Sequence, residues 1–244
     1  MIIIFGSTHD DILYYESVMN NKKEEKLYDI YPLTYGKIFN QEVVLVHDVY
    51  TSYISALITS YIISKYFVVL IFVVGKCIAY SDDVKSGEIA LSKRVILGDV
   101  DQIREANVKL GQIPHLPRSL ESGEEVIGYL TDAIERRSFS RYSIATFVSA
   151  NKIFDQKDKI GDLIMDDYVL GHKTNVVFDC ISGGVFLSAH LHKIPVIAIK
   201  VVERMVGGKV SMDDYINVLK QYSNVGRAVV TCIGDIGRND IIKA

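Results

Sequence analysis

The chain has 244 residues, 49% of them apolar, which is the size and composition of one α/β domain with a sizeable core, expected to span residues 1–244. Its 27 basic and 30 acidic side chains leave a net charge of -3, so the clustered basic excess that marks a nucleic-acid partner is missing. Cys77, Cys180 and Cys232 are odd in number and far apart, which argues against a disulfide framework or a paired cysteine metal motif. Free thiols in a reducing cytoplasm are expected, with no metal and no cofactor.

The opening Met1-Ile2-Ile3-Ile4-Phe5 has no basic flank and runs straight into Gly6, so it is predicted to be a buried first strand and not a leader. A helix is predicted at about 10–20. Lys37-Ile38-Phe39 and Glu42-Val43-Val44 flank Asn40-Gln41, a hairpin turn that would make the sheet mixed. Residues 54–74 are apolar over nearly the ~20 residues of a membrane span. However, Lys65 sits near the middle, with Ser55, Thr59, Ser60 and Ser64 in the first half, so a helix over 51–65 and a strand over 67–74 is the better division. No membrane partner is expected.

Apolar β-branched runs recur at 1–5, 43–48, 67–74, 88–97, 143–148, 175–178 and 195–202. Helical patterns fall at about 119–137, 156–167 and 182–193. This alternation predicts an α/β fold with a central mixed β-sheet packed between helices. A last helix should begin at Ser211, where the hydroxyl and Asp213-Asp214 suit a helix start. Its far end is open, because Gly226 and Val229-Val230-Thr231 suit a strand equally.

One long stretch carries a family frame. It runs from Val43-Val44-Leu45-Val46 through an apolar helix to the strand ending at Val74, then Gly75-Lys76-Cys77-Ile78-Ala79, Val84-Lys85-Ser86-Gly87-Glu88-Ile89, Gly98-Asp99-Val100-Asp101 and Gly111-Gln112-Ile113-Pro114. This order resembles the nucleoside phosphorylase and methylthioadenosine/S-adenosylhomocysteine nucleosidase superfamily. The resemblance implies a single-domain three-layer α/β/α fold and a homodimer in which 111–114 reaches toward the partner's pocket. Gln102 and Glu105 stand where the family places apolar residues. It also implies a nucleoside ligand and purine N-glycosidic cleavage. That reaction needs an acid for the leaving base, groups on the ribose hydroxyls and a positioned water or phosphate.

The chemical positions depart from that pattern. In Gly6-Ser7-Thr8-His9-Asp10-Asp11-Ile12, Asp11 falls where the family has the glutamate that acts on water, although Asp10 and Asp11 would equally serve a helix start. His9 is read as a solvated loop histidine. The family's glycine-rich turn is replaced by Val49-Tyr50-Thr51-Ser52, where Tyr50 would line a pocket or an interface. Lys76 stands at the hydroxyl that holds water or phosphate, and could bind an anion or pair with Asp11; Cys77 is read as a small buried residue. In Ser149-Ala150-Asn151-Lys152-Ile153-Phe154 the stacking ring and its aliphatic neighbour are exchanged, so Phe154 is the candidate base platform.

In Val177-Phe178-Asp179-Cys180-Ile181-Ser182, Asp179 matches the first acid of the family motif and Cys180 the methionine beside the ribose. Ile181 replaces the glutamate that holds the ribose hydroxyls. Asp179 could take over only with two more residues in the helix. In Ile199-Lys200-Val201-Val202-Glu203-Arg204, Lys200 matches a basic residue and Arg204 replaces the aspartate that protonates the purine. Arginine stays charged and cannot act as a tuned acid. Glu203, one residue earlier, should point the other way on a regular strand.

The first expectation is therefore a divergent nucleosidase-fold protein with lost or strongly altered cleavage and a retained nucleoside-like ligand, bound among Lys76, Phe154, Cys180, Glu203 and Arg204. The rivals are a working nucleosidase using Asp11, Asp179 and Glu203, and a structural partner of an active paralogous subunit. Lys76 and Arg204 are expected close together, beside Asp11 or Glu203.

Overall fold

The structure is a computed structural model that describes residues 1–102, 107–136, 141–154 and 175–238. The predicted helix at 156–167, and Glu105, lie outside the described residues. Among the described residues are eleven strands in one mixed sheet. Strand β1 (Ile2–Phe5) is followed by a 3-10 turn (His9–Asp11), helix α1 (Leu13–Val18), β2 (Asn20–Leu27), β3 (Tyr31–Ile38), β4 (Gln41–Val46), α2 (Ser52–Lys65), β5 (Leu70–Val73) and β6 (Lys76–Ala79). Then come β7 (Ile89–Leu97), β8 (Ser119–Glu121), α3 (Glu124–Glu135), β9 (Tyr142–Ser149), β10 (Asn175–Asp179), α4 (Ser182–His192), β11 (Val196–Met205) and α5 (Met212–Arg238).

The apolar run at the N-terminus is explained by its place. β1 lies between β4 and β5, parallel to both, and all four of its residues are buried. Ile3 and Phe5 face one apolar cluster, which Ile58, Ile62 of α2 and Val185, Phe186 of α4 complete. Ile2 and Ile4 face another, completed by Leu130 of α3 and Val225, Val229 of α5. A strand covered on both faces needs no polar alternation.

The strand order is β2-β3-β4-β1-β5-β11-β6-β10-β9-β7-β8. β11 is long enough to serve two partners in succession: Val196, Ile197 and Ala198 run parallel to β5, and Val201 to Met205 run parallel to β6. Its middle, Ile199 to Val201, also pairs antiparallel with β7. Strands β11, β6, β10, β9 and β7 thereby close into a ring.

Several predicted elements are corrected. The 10–20 helix is only the 3-10 turn plus α1, because the chain turns into β2, whose polar residues hide a strand with a single buried side chain, Leu27. Residues 119–121 form β8, and α3 starts at Glu124. Lys76–Ala79, absent from the predicted strands, is a strand. The last helix continues through Gly226 and Val229-Val230-Thr231. Val225, Ala228, Val229 and Cys232 are buried at helical spacing, and that packing overrides β-propensity.

The predicted division of residues 54–74 holds: α2 ends at Lys65 and a strand begins at Leu70. No helix among the described residues is long and apolar enough to cross a membrane. The hydroxyls on α2 have a different use. Ser55 Oγ donates to Ile181 O at 2.8 Å and Ser60 Oγ to Ser188 Oγ at 3.0 Å, while Ser188 Oγ donates to Ala56 O at 3.0 Å. They tie α2 to α4.

Candidate functional site

The C-terminal ends of β1 and β5, and the start of β6, meet around Asp11. Asp11 is 5% exposed, and its Oδ2 accepts hydrogen bonds from the N–H groups of Ser7 at 2.8 Å and Thr8 at 2.9 Å. Its other oxygen, Oδ1, is buried and accepts none. Gly75 has φ +115°, and a Cβ there would stand 2.6 Å from Asp11 Oδ2, so both the backbone angle and the carboxylate require glycine. Thus Gly75 and Asp11 fit as one unit.

Lys76 follows on β6, and its Nζ lies 2.5 Å from Glu203 Oε1 of β11. The pairing register shifts between Val202, opposite Cys77, and Arg204, opposite Ile78, so Glu203 is the extra residue of a β-bulge. The bulge corrects the expectation that Glu203 points away: strand alternation fails at an inserted residue. Ser86 Oγ holds the Glu203 carbonyl at 2.9 Å. Arg204 does not join this cluster. Its Nη1 donates to the carbonyls of Met205 at 3.4 Å and Gly208 at 3.3 Å. The expected meeting of Lys76 with Glu203 is present; that of Lys76 with Arg204 is not.

Tyr222 of α5, which sequence reasoning missed, faces the same region. Its hydroxyl is held far above the ordinary tyrosine value by burial first, and then by the carboxylates of Asp11 and Glu203. It stays protonated beside two acids. Nothing in its sequence neighbourhood signals this, because the contact spans the whole chain.

Asp179 closes β10 and is 7% exposed. Lys200 Nζ lies 2.7 Å from its Oδ2, and the Ser182 backbone N–H at 3.2 Å and the Ser182 hydroxyl add hydrogen bonds. The first acid and the basic residue of the family pattern thus form a buried pair. Cys180 is half-buried, with its carbonyl accepting from Ser52 Oγ at 2.9 Å, and its thiol is raised by burial and then by Asp179. Ile181 is wholly buried in the apolar core, where it offers a ribose no hydrogen bond.

The glycine-free turn has found another support. Asn151 Oδ1 accepts from the Ser52 N–H at 2.8 Å, and Asp99 Oδ2 in turn accepts from Asn151 N at 2.8 Å and Nδ2 at 2.7 Å. Thr51 caps α2 through Ile54 N–H at 3.4 Å, and Tyr50 is 62% exposed. Phe154 is buried against Phe178, ring centroids 4.5 Å apart, with Lys152 Nζ 4.9 Å above its ring, whereas Ile153 is exposed. Phe154 belongs to a small apolar cluster with Ile96 and Val148.

No protein-family model matches the sequence. A 5'-methylthioadenosine/S-adenosylhomocysteine nucleosidase of Staphylococcus haemolyticus (strain JCSC1435) is 25% identical over 159 residues, 65% of this chain and 68% of that protein. Among solved structures, the 5'-methylthioadenosine/S-adenosylhomocysteine nucleosidase of Neisseria meningitidis in complex with methylthio-immucillin-A superposes with a TM-score of 0.85 at 15% identity, covering 96% of this chain and 98% of that one. The futalosine hydrolase of Helicobacter pylori strain 26695 gives 0.83 at 15% identity over 96% and 97%. These relatives are nucleosidases and a futalosine hydrolase of the nucleoside phosphorylase superfamily, and this chain carries that superfamily's fold.

Proposed function

We propose that this chain binds a nucleoside-like ligand at the Asp11–Lys76–Glu203 cluster and that its cleavage of purine N-glycosidic bonds is lost or strongly altered. The observation that carries this reading is the 2.5 Å pair of Lys76 with Glu203 beside Asp11. Glu203 Oε1 is engaged by the Lys76 ammonium, so it is not free to meet a leaving purine. Arg204, at the position of the family's acid, is spent on two backbone carbonyls. Lys76, Cys180 and Glu203 remain as ligand contacts, with Phe154 and Arg204 at the margin. The test pairs a thermal-shift panel of nucleosides with a purine-release assay on methylthioadenosine and S-adenosylhomocysteine. Stabilisation without release is expected; release at an ordinary rate would overturn the reading.

A working hydrolase is the second reading, and the buried Asp11 favours it, since a carboxylate fixed by the Ser7 and Thr8 N–H groups is a preorganised acceptor for the proton of an attacking water. In that case Asp11→Asn abolishes purine release.

The same reading takes the chain as one three-layer α/β/α domain over 1–244, cytoplasmic and homodimeric. The exposed Tyr50, Tyr53 and Leu57, at and near the start of α2, support a subunit contact there. The loop 111–114 would then reach the partner's pocket.

A further inference from the structure

Away from Asp179 and Lys76, three metal-ligating side chains converge from separate elements. His9 begins the 3-10 turn, Glu16 lies on α1, and His47 follows β4. One ligand atom from each falls within 4.8 Å of the other two. His9 Nε2 is 2.9 Å from Glu16 Oε2, and the two imidazole rings lie 4.8 Å apart, tilted by 31°. The His47 side chain is 11% exposed, that of Glu16 21% and that of His9 51%, so the cluster is closed at one end and open at the other. It opens on a cavity of about 490 Å³ that Glu24, Glu25 and Lys26 also line. With Glu16 the lining holds three carboxylates and one lysine; Lys23 reaches Glu25 at 3.8 Å and Lys22 the Glu16 carbonyl at 3.4 Å, and Asp48 Oδ2 lies 3.2 Å from His47 Nδ1.

We propose that His9, Glu16 and His47 form a binding site for a divalent transition metal, with zinc the best match. Two imidazoles and one carboxylate are a nitrogen-rich, borderline-soft set that suits zinc and not magnesium or calcium, which take oxygen ligands. Zinc bonds of ~2.0–2.2 Å would draw the three groups around one ion by small side-chain rotations, leaving the fourth position to water on the open side. The ion would replace the lone His9–Glu16 contact and bring His47 into the same cluster. Sequence reading took His9 as a solvated loop histidine and searched for metal ligands among the cysteines, so this combination escaped it.

The consequence reaches Asp11. His9 stands two residues before it in the same three-residue turn, so a bound ion fastens that turn to α1 and to the end of β4. The ion is a clamp on the segment that presents the carboxylate, and not a participant in chemistry there.

The test is titration of the untagged, chelator-treated chain with Co²⁺ and Zn²⁺, read by calorimetry and by visible absorption. One ion per chain is expected, with the intense d–d bands of low-coordinate cobalt and no thiolate charge-transfer band. His9→Ala and His47→Gln should each weaken binding at least ~10-fold, since each removes a direct ligand. His9 is half-exposed, so its variant is expected to keep its circular dichroism spectrum, and His192→Ala should bind like the parent. Parental affinity in His9→Ala and His47→Gln, a thiolate band, or no saturable binding would overturn the site. None of these readouts depends on a nucleoside.

Discussion

Lys200 Nζ stands 2.7 Å from Asp179 Oδ2 with both side chains all but closed to water. Two matched charges held out of solvent contribute little net stability, but one left alone is costly. Lys200→Met should therefore destabilise the fold by about 3–5 kcal/mol, and Asp179→Asn added to it should recover part of that loss. Urea midpoints of the two single variants and the double variant check this. Additive losses would show that the pair is not coupled.

The crossing of α2 over α4 depends on a missing side chain. A Cβ on Gly184 would lie 1.8 Å from Ser52 O and 2.4 Å from Ser55 Oγ, far inside any contact. Gly184→Ala is expected to lower stability by at least about 1–3 kcal/mol, the usual cost of overpacking, with the helix pair forced apart. A thermal midpoint equal to the parent's would contradict this packing.

Purine release by the unaltered chain should be at least ~100-fold below that of an ordinary nucleosidase, because removal of one preorganised acid or donor commonly costs that much. Losses at Ile181 and Arg204 need not add. Lys76→Ser with Arg204→Asp, which frees Glu203 and places a carboxylate at the family's acid position, should raise the rate. Adding Ile181→Glu should instead cost stability, because that position is closed to water in the apolar core. A coupled assay for free adenine compares the parent and the double variant with an ordinary nucleosidase, and thermal midpoints compare the double and triple variants.

The three cysteines should be inert in the native state. Burial raises the thiols of Cys77 and Cys180, and burial with nearby Asp235 pushes Cys232 up to about 12. At pH 8 little thiolate forms, so a thiol-specific chromogen should react slowly and then with three groups once the chain is unfolded. The sign for stability follows: with the folded value above the unfolded one near ~8.5, the contribution of Cys232 is complete below that pH and is lost as pH rises toward 12.

Legibility in the sequence differed between core and site for a physical reason. Ile2-Ile3-Ile4-Phe5 and Val43-Val44-Leu45-Val46 announce buried parallel strands because burial on both faces removes every polar residue. Asn20–Leu27 does not announce itself, because a strand with one buried side chain has nothing to alternate. Asp11, Lys76 and Glu203 could be nominated one at a time, but their convergence depends on a β-bulge that shifts Glu203 out of the regular alternation. Tyr222, at the far end of the chain, is visible only once α5 is folded against that cluster. The family frame gave positions; the pairing of Asp179 with Lys200 and the turning of Arg204 to carbonyls are matters of side-chain direction.

Strand β2 has a consequence for how copies of this protein can meet. Among the described residues it borders the sheet and pairs only with β3, and it presents Lys22, Lys23, Glu24, Glu25 and Lys26 in one run interrupted by a register shift after Asn20. A strand from a second molecule docking there would have to bury those charges against its own backbone, and the irregularity spoils the hydrogen-bond ladder it would need. At the other border β8 is three residues long, too short to template a neighbour. Among the described residues, growth by edge-to-edge addition, the route to fibrous aggregates, is thus opposed at both borders of the sheet, which favours helix and loop surfaces for the attachment of another chain.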